Sequence, residues 1–148
     1  MSLKERINDD IKDAMRAKDK ARVGTLRMLN SAIQDAEIKQ GGELAESDQL
    51  AVIQKLIKQR RDSAEQYRDA GRDEQAAAEE AEAAVLTEYL PPELSPAEID
   101  EAIDQALAET GAGSPQEMGK VMGLLKERLQ GRADLGWVSQ RVKERLGA

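Results

Sequence analysis

Apolar residues recur along this chain at intervals of three and four, the spacing of one face of an α-helix, almost from end to end. Leu3, Ile7, Ile11, Ala14 and Met15 fall on one such stripe, and Lys18-Asp19-Lys20 follows as a break in which Asp19 can cap the next helix. Val23, Leu26, Leu29, Ile33 and Ala36 mark a second helix that should stop at Gly41-Gly42. Ser47 opens a third, with Leu50, Ile53, Ile57, Ala64 and Tyr67 on its inner side and Gly71 at its end. A fourth runs from about Asp73 to Leu90, where Pro91-Pro92 terminates it.

The double proline is the clearest domain boundary. Beyond it, Ser95-Pro96-Ala97-Glu98 reads as a capping box with proline at the first helical position, and Ser114-Pro115-Gln116-Glu117 repeats the arrangement. Gly111 and Gly131 should end the helices that follow, and Asp134 caps a last one with Leu135, Val138, Val142 and Leu146 turned inward. The predicted fold is all-α. A long-helix N-terminal domain of about four helices over residues 1–90 precedes a compact three-helix C-terminal domain over residues 91–148.

Composition sharpens this picture. The 148 residues include no Phe, one Trp and two Tyr, so aliphatic side chains and alanine must fill a thin core between long, closely spaced helices. With neither Cys nor His, disulfides, thiolate or Ser–His catalysis and zinc–sulfur sites are excluded. The carboxylates sit at helical spacing among lysines and arginines, as on solvated faces, and no catalytic pair, metal site or phosphate-cradling glycine loop stands out. No catalytic residue, metal or cofactor is therefore expected. The charged start of the chain lacks a signal-peptide pattern and no apolar run reaches membrane-spanning length, so a cytoplasmic protein with neither membrane nor DNA as partner is the plain expectation.

Charge is distributed unevenly. The net of −7 arises from −4 over residues 1–90, −6 over 91–113 and +3 over 114–148. The whole chain repels nucleic acid while its last segment is locally positive.

Four features invite a functional reading. Lys58, Arg60 and Arg61 form a basic cluster; Arg60 falls on the apolar stripe, either ion-paired to a residue such as Glu82 or held to grip a phosphate or carboxylate. Gly119 and Gly123 stand four apart on one helix at about 1 kcal/mol each in helix propensity. Either another helix approaches closely there or the bare face admits a ligand, with Lys120 at its edge. Arg132 lies in the Gly131-Arg132-Ala133-Asp134 turn. Trp137, Arg141 and Arg145 share a face, suited either to a tryptophan covered by arginine stems or to RNA contact.

These strings resemble the GatB/YqeY family, specifically its short stand-alone YqeY-like members, over nearly the whole chain. Met118-Gly119-Lys120-Val121-Met122-Gly123 and Gly131-Arg132-Ala133-Asp134 carry most of the resemblance. Arg27-Met28-Leu29, Lys58-Gln59-Arg60-Arg61-Asp62-Ser63, Ala70-Gly71-Arg72 and Tyr89-Leu90-Pro91 add to it. The resemblance implies kinship with the C-terminal region of the B subunit of glutamine-dependent aminoacyl-tRNA amidotransferase, the part that meets tRNA, and with it the label of carbon–nitrogen ligase using glutamine as amido-N-donor. Nothing resembles that subunit's catalytic domain or a glutaminase. By resemblance Lys120, Arg132, Gly119 and Gly123 become candidates for a tRNA-facing surface. One departure is that Leu135-Gly136-Trp137 follows the turn where such chains often carry Gly-Lys, which removes a positive charge. The expectation is a non-catalytic accessory module that binds tRNA. The alternatives are amide transfer with a partner, or an adaptor that docks a helical protein.

Overall fold

The structure is a computed structural model and describes residues 1–147. Among the described residues it is all-helical, with seven α-helices, one short 3₁₀ turn and no strand. The chain divides into two compact units, Met1–Leu90 and Pro91–Ala148.

In the first unit, α1 (Leu3–Arg16) begins with a complete capping box, in which Ser2 and Glu5 each satisfy the other's backbone N–H. Asp19 caps α2 (Lys20–Gln40), which ends on a left-handed Gly41 with φ of 83°. α3 (Glu46–Asp69) starts one residue before Ser47. Its cap position is Ala45, which offers no side-chain acceptor, and Glu46 and Asp48 instead face the positive helix end. α4 (Asp73–Thr87) stops three residues short of Leu90, because the backbone tightens into turns from Glu88 to Leu90 ahead of the prolines. Ile7, Leu26, Leu29, Ile33, Ile53, Ile57 and Leu86 form the core, closed by Tyr89. Met15, expected on the inner stripe, is exposed: it lies in the last turn of α1, past the buried Ala14.

Polar contacts fasten the ends of this unit. The Lys4 ammonium and the Leu44 backbone N–H both donate to Glu37, which holds that carboxyl below its usual range. The buried Tyr89 donates its hydroxyl to Asp10, and the Arg6 guanidinium lies 4.6 Å from the ring centroid while donating to the Glu88 carbonyl. Burial, reinforced by Asp10, raises the Tyr89 pKa far above its ordinary 10.0. Native Tyr89 thus keeps a proton that the unfolded chain releases above about pH 10, so this contribution to stability is lost as pH rises through that range. The melting temperature of the parent should therefore fall more steeply than that of Tyr89→Phe in alkaline thermal scans; parallel curves would contradict this.

In the second unit, Ser95 and Glu98 complete a capping box with Pro96 at the first position of α5 (Pro96–Thr110), and Gly111 ends it in the left-handed region. The second expected box does not open an α-helix. Pro115–Glu117 forms the 3₁₀ turn and α6 (Met118–Leu129) starts after it. The Ser114 hydroxyl donates to the Glu117 carboxylate at 3.1 Å, so it does not cap a backbone N–H. Asp134 accepts from the N–H groups of Gly136 and Trp137 and starts α7 (Leu135–Arg145). Ile103, Val121, Leu125, Val138 and Val142 are the fully buried centre of this unit, with Leu135 partly buried at its margin.

Candidate nucleic-acid interface

The geometry of α6 follows from which side its apolar residues occupy. Val121, Leu125 and Leu129 point into the core, which turns Gly119, Lys120, Gly123, Lys126 and Glu127 to solvent. A side chain built at Gly119 or Gly123 would meet no atom within 4 Å. The two glycines are therefore not a seat for another helix of this unit, so packing within the unit does not offset their cost. At 3.6 residues per turn, Lys126 and Lys120 lie about 120° apart around the helix, with both glycines between them. The result is a strip of bare backbone flanked by two ammonium groups, with Glu127 beside Lys120. Lys126 was not a candidate from the sequence. Its signal was its position seven residues beyond Gly119, two turns along the same face.

The remaining cations of this unit are mostly committed. Arg141 makes a bidentate contact with Asp100, with its Nη2 at 2.8 Å from both carboxylate oxygens; that pairing raises the Arg141 pKa. Arg145 pairs with Asp104 and Arg128 with Glu109. Trp137 is 40% exposed and the Arg141 guanidinium lies 5.4 Å from its ring centroid. The structure thus brings Trp137, Arg141 and Arg145 together as a face zipped to the acidic α5. Their positive charge is largely neutralised there.

Arg132 is fixed by its backbone: its N–H donates to the Leu129 carbonyl, and its carbonyl accepts from Leu94 N–H at 2.9 Å. Its side chain is half-buried, its Nε is buried without a hydrogen-bond partner, and its charge helps hold Glu98 below the usual carboxylate range, behind the capping contacts with Ser95. Among the described residues no hydrogen bond, ion pair or ring contact joins it to Lys120 or to Trp137.

The basic cluster of the first unit is built into the α3–α4 hairpin. Arg60 Nε contacts Glu82 at 3.0 Å, with Glu79 at 3.8 Å, which is the ion-paired reading of that arginine. Lys58 pairs with Asp62 one turn along, and Arg61 is exposed. Among the described residues no group of acidic side chains is arranged to hold a metal, and no helix is long and apolar enough to cross a membrane.

The family model described as Yqey-like protein matches residues 4–146. The chain belongs to the YqeY-like family. Its curated relatives include "Altered inheritance of mitochondria protein 41, mitochondrial" of Pyrenophora tritici-repentis, 34% identical over 146 residues that cover 97% of this chain and 80% of that protein. The protein of the same name in Lachancea thermotolerans is 38% identical over 112 residues, 74% of this chain and 60% of its own length. That of Saccharomyces cerevisiae strain YJM789 is 32% identical over 123 residues, covering 79% and 66%. The YqeY-like chain thus spans from about three-fifths to four-fifths of these relatives. Their names also overturn the cytoplasmic expectation, because each is a mitochondrial protein. The absence of a signal-peptide pattern carries no information on that point.

Proposed function

We propose that this YqeY-like protein is a tRNA-binding accessory module whose contact surface is the outer face of α6. One observation carries the reading: Gly119 and Gly123 expose helix backbone to solvent between Lys120 and Lys126, with nothing in the unit packed on them. Two exposed glycines weaken a twelve-residue helix by about 2 kcal/mol relative to alanine. A ligand that must come close to the backbone explains why side chains are missing there. The flanking ammonium groups suit a phosphodiester chain, and among the described residues neither is held in an ion pair.

Recognition on such a face is by shape and phosphate position, because no base-reading side chains line it. The net charge of −7 keeps non-specific affinity low, so selectivity rests on an RNA fold that presents its backbone to this strip. Arg141 and Arg145 contribute little, since an arginine already paired with a carboxylate releases few counterions when phosphate arrives. Kinship with the amidotransferase tail supports tRNA as the RNA. On this reading the activation chemistry belongs to a partner enzyme.

Titration of the full chain with total tRNA at low and physiological salt tests this. Lys120→Ala combined with Lys126→Ala should weaken binding and make the dependence of log K on log salt shallower by about 1–2. Arg141→Gln should lower the melting temperature and leave tRNA affinity within about twofold of the parent. Binding indifferent to the lysine pair would reject the α6 surface. A salt-resistant protein complex on that face, formed without RNA, would favour the adaptor.

A further inference from the structure

A second surface of the same unit has the opposite electrostatic character. The segment before α5 and the first turn of α7 line an open cleft of about 330 Å³. Leu94, Ile99 and Ala133 give it an apolar floor, Trp137 an aromatic wall, and Glu93 and Asp134 two carboxylates. No lysine or arginine lines it. We infer that this cleft binds an arginine side chain presented by a partner polypeptide, stacked on Trp137 and held by Glu93 and Asp134.

The walls are fixed before any ligand arrives. The Leu94 N–H bond to the Arg132 carbonyl ties the segment at Glu93 to the turn leading into Asp134, and the α7 cap sets the Asp134 rotamer. The acceptors are largely unspent. Glu93 is exposed and has no hydrogen-bond or ion-pair partner among the described residues, and the bonds to Asp134 from Gly136 and Trp137 both use Oδ1. The nearby cations are already held by other carboxylates: the Arg132 charge acts on Glu98, and Arg141 is clamped to Asp100 with its guanidinium 5.4 Å from the Trp137 ring centroid, which shows that this ring accepts a guanidinium.

These features select the ligand. Two carboxylates repel phosphate, which separates this pocket from the RNA surface proposed on α6. Its volume lies at the small end of ligand sites, enough for one long side chain and too little for a large cofactor. An apolar floor suits a methylene stem, and a carboxylate pair beside a tryptophan suits a planar guanidinium, which can fork to the acids and stack on the ring. A lysine would gain less from the ring.

Trp137 is the single tryptophan, so its emission reports directly on the pocket. The full chain is titrated with N-acetyl-arginine amide, the uncharged isostere N-acetyl-citrulline amide, and adenosine. The expected result is a saturable, salt-sensitive change with the arginine probe and affinity about tenfold lower for citrulline, the step expected from losing a single charge-assisted contact. Glu93→Gln with Asp134→Asn should raise the arginine Kd about tenfold or more while the melting temperature holds, because asparagine keeps the helix cap. Glu93→Gln alone, at an exposed side chain, gives a version of the test that cannot fail through misfolding. Equal responses to arginine and citrulline, no response to arginine, or a response to adenosine alone would each overturn the assignment. Loss of the α6 lysines leaves this readout unchanged, so the two proposals fail separately.

Discussion

Replacing Gly119 and Gly123 together by alanine will raise the melting temperature of the C-terminal unit and weaken its binding to tRNA. The stabilisation comes from the backbone. Both glycines lie inside α6 at ordinary helical φ, and an added methyl group at either meets nothing within 4 Å. Alanine is better than glycine in a helix interior by about 1 kcal/mol per site, partly because the unfolded chain has less freedom to lose. In a domain of this size about 2 kcal/mol corresponds to a rise of roughly 10 °C. The binding loss comes from the same methyl groups, which fill the strip between Lys120 and Lys126. Stability and function should move in opposite directions, which general damage to the fold cannot mimic. Gly111→Ala is the control: with φ of +66° it should destabilise, although it too meets open space. Scanning calorimetry and tRNA titration on the parent and the two variants decide the matter. Unchanged affinity in the stabilised double variant would remove the glycine face from the binding surface.

How legible was this in the sequence? Helix starts governed by local chemistry were, as at Asp19, Ser95 and Asp134, because an N-cap needs only its own side chain and the next three N–H groups. Ser114 misled for an equally local reason: its hydroxyl has a competing acceptor in Glu117, and the backbone tightens to 3₁₀ geometry. Arg60 with Glu82 was legible because a short hairpin turn brings two helices back along each other. Contacts between distant elements were not. Tyr89 with Asp10 spans 79 positions and Arg141 with Asp100 spans 41, and nothing local in either residue announces its partner.

The same distinction explains the candidate surface. A Gly-x-x-x-Gly spacing states that something approaches closely without stating from which side. Only the burial of Val121, Leu125 and Leu129 shows that the glycines face outward, which also promotes Lys126, while the ion pairs to Asp100 and Asp104 demote Arg141 and Arg145. Charge counting over 114–148 gave a positive segment. Pairing with the acidic α5 then occupies three of that segment's seven cations, Arg128, Arg141 and Arg145.

The α6 surface depends on a core with little reserve, so Leu125→Ala should unfold a substantial fraction of this unit. Leu125 is completely buried, in a cluster with Ile103, Val121, Val138 and Val142 that contains no aromatic side chain. Truncating a buried leucine costs about 2–5 kcal/mol, through lost apolar burial and the cavity left behind. A unit of this length has a total stability of about 3–9 kcal/mol. The loss is therefore comparable with the whole margin, and small domains have few other contacts over which to spread it. Trp137 reports the outcome: its emission should shift towards that of solvated indole, and its unfolding midpoint in urea should fall or vanish. Binding of tRNA should fall with it, because α6 holds its glycine strip outward only while Leu125 holds the opposite side inward. Leu125→Met, which nearly conserves volume, should cost under about 1.5 kcal/mol and retain binding. If Leu125→Ala kept both the parent emission and the parent tRNA affinity, the strip would not depend on this core, and the account of how the sequence builds the site would be wrong.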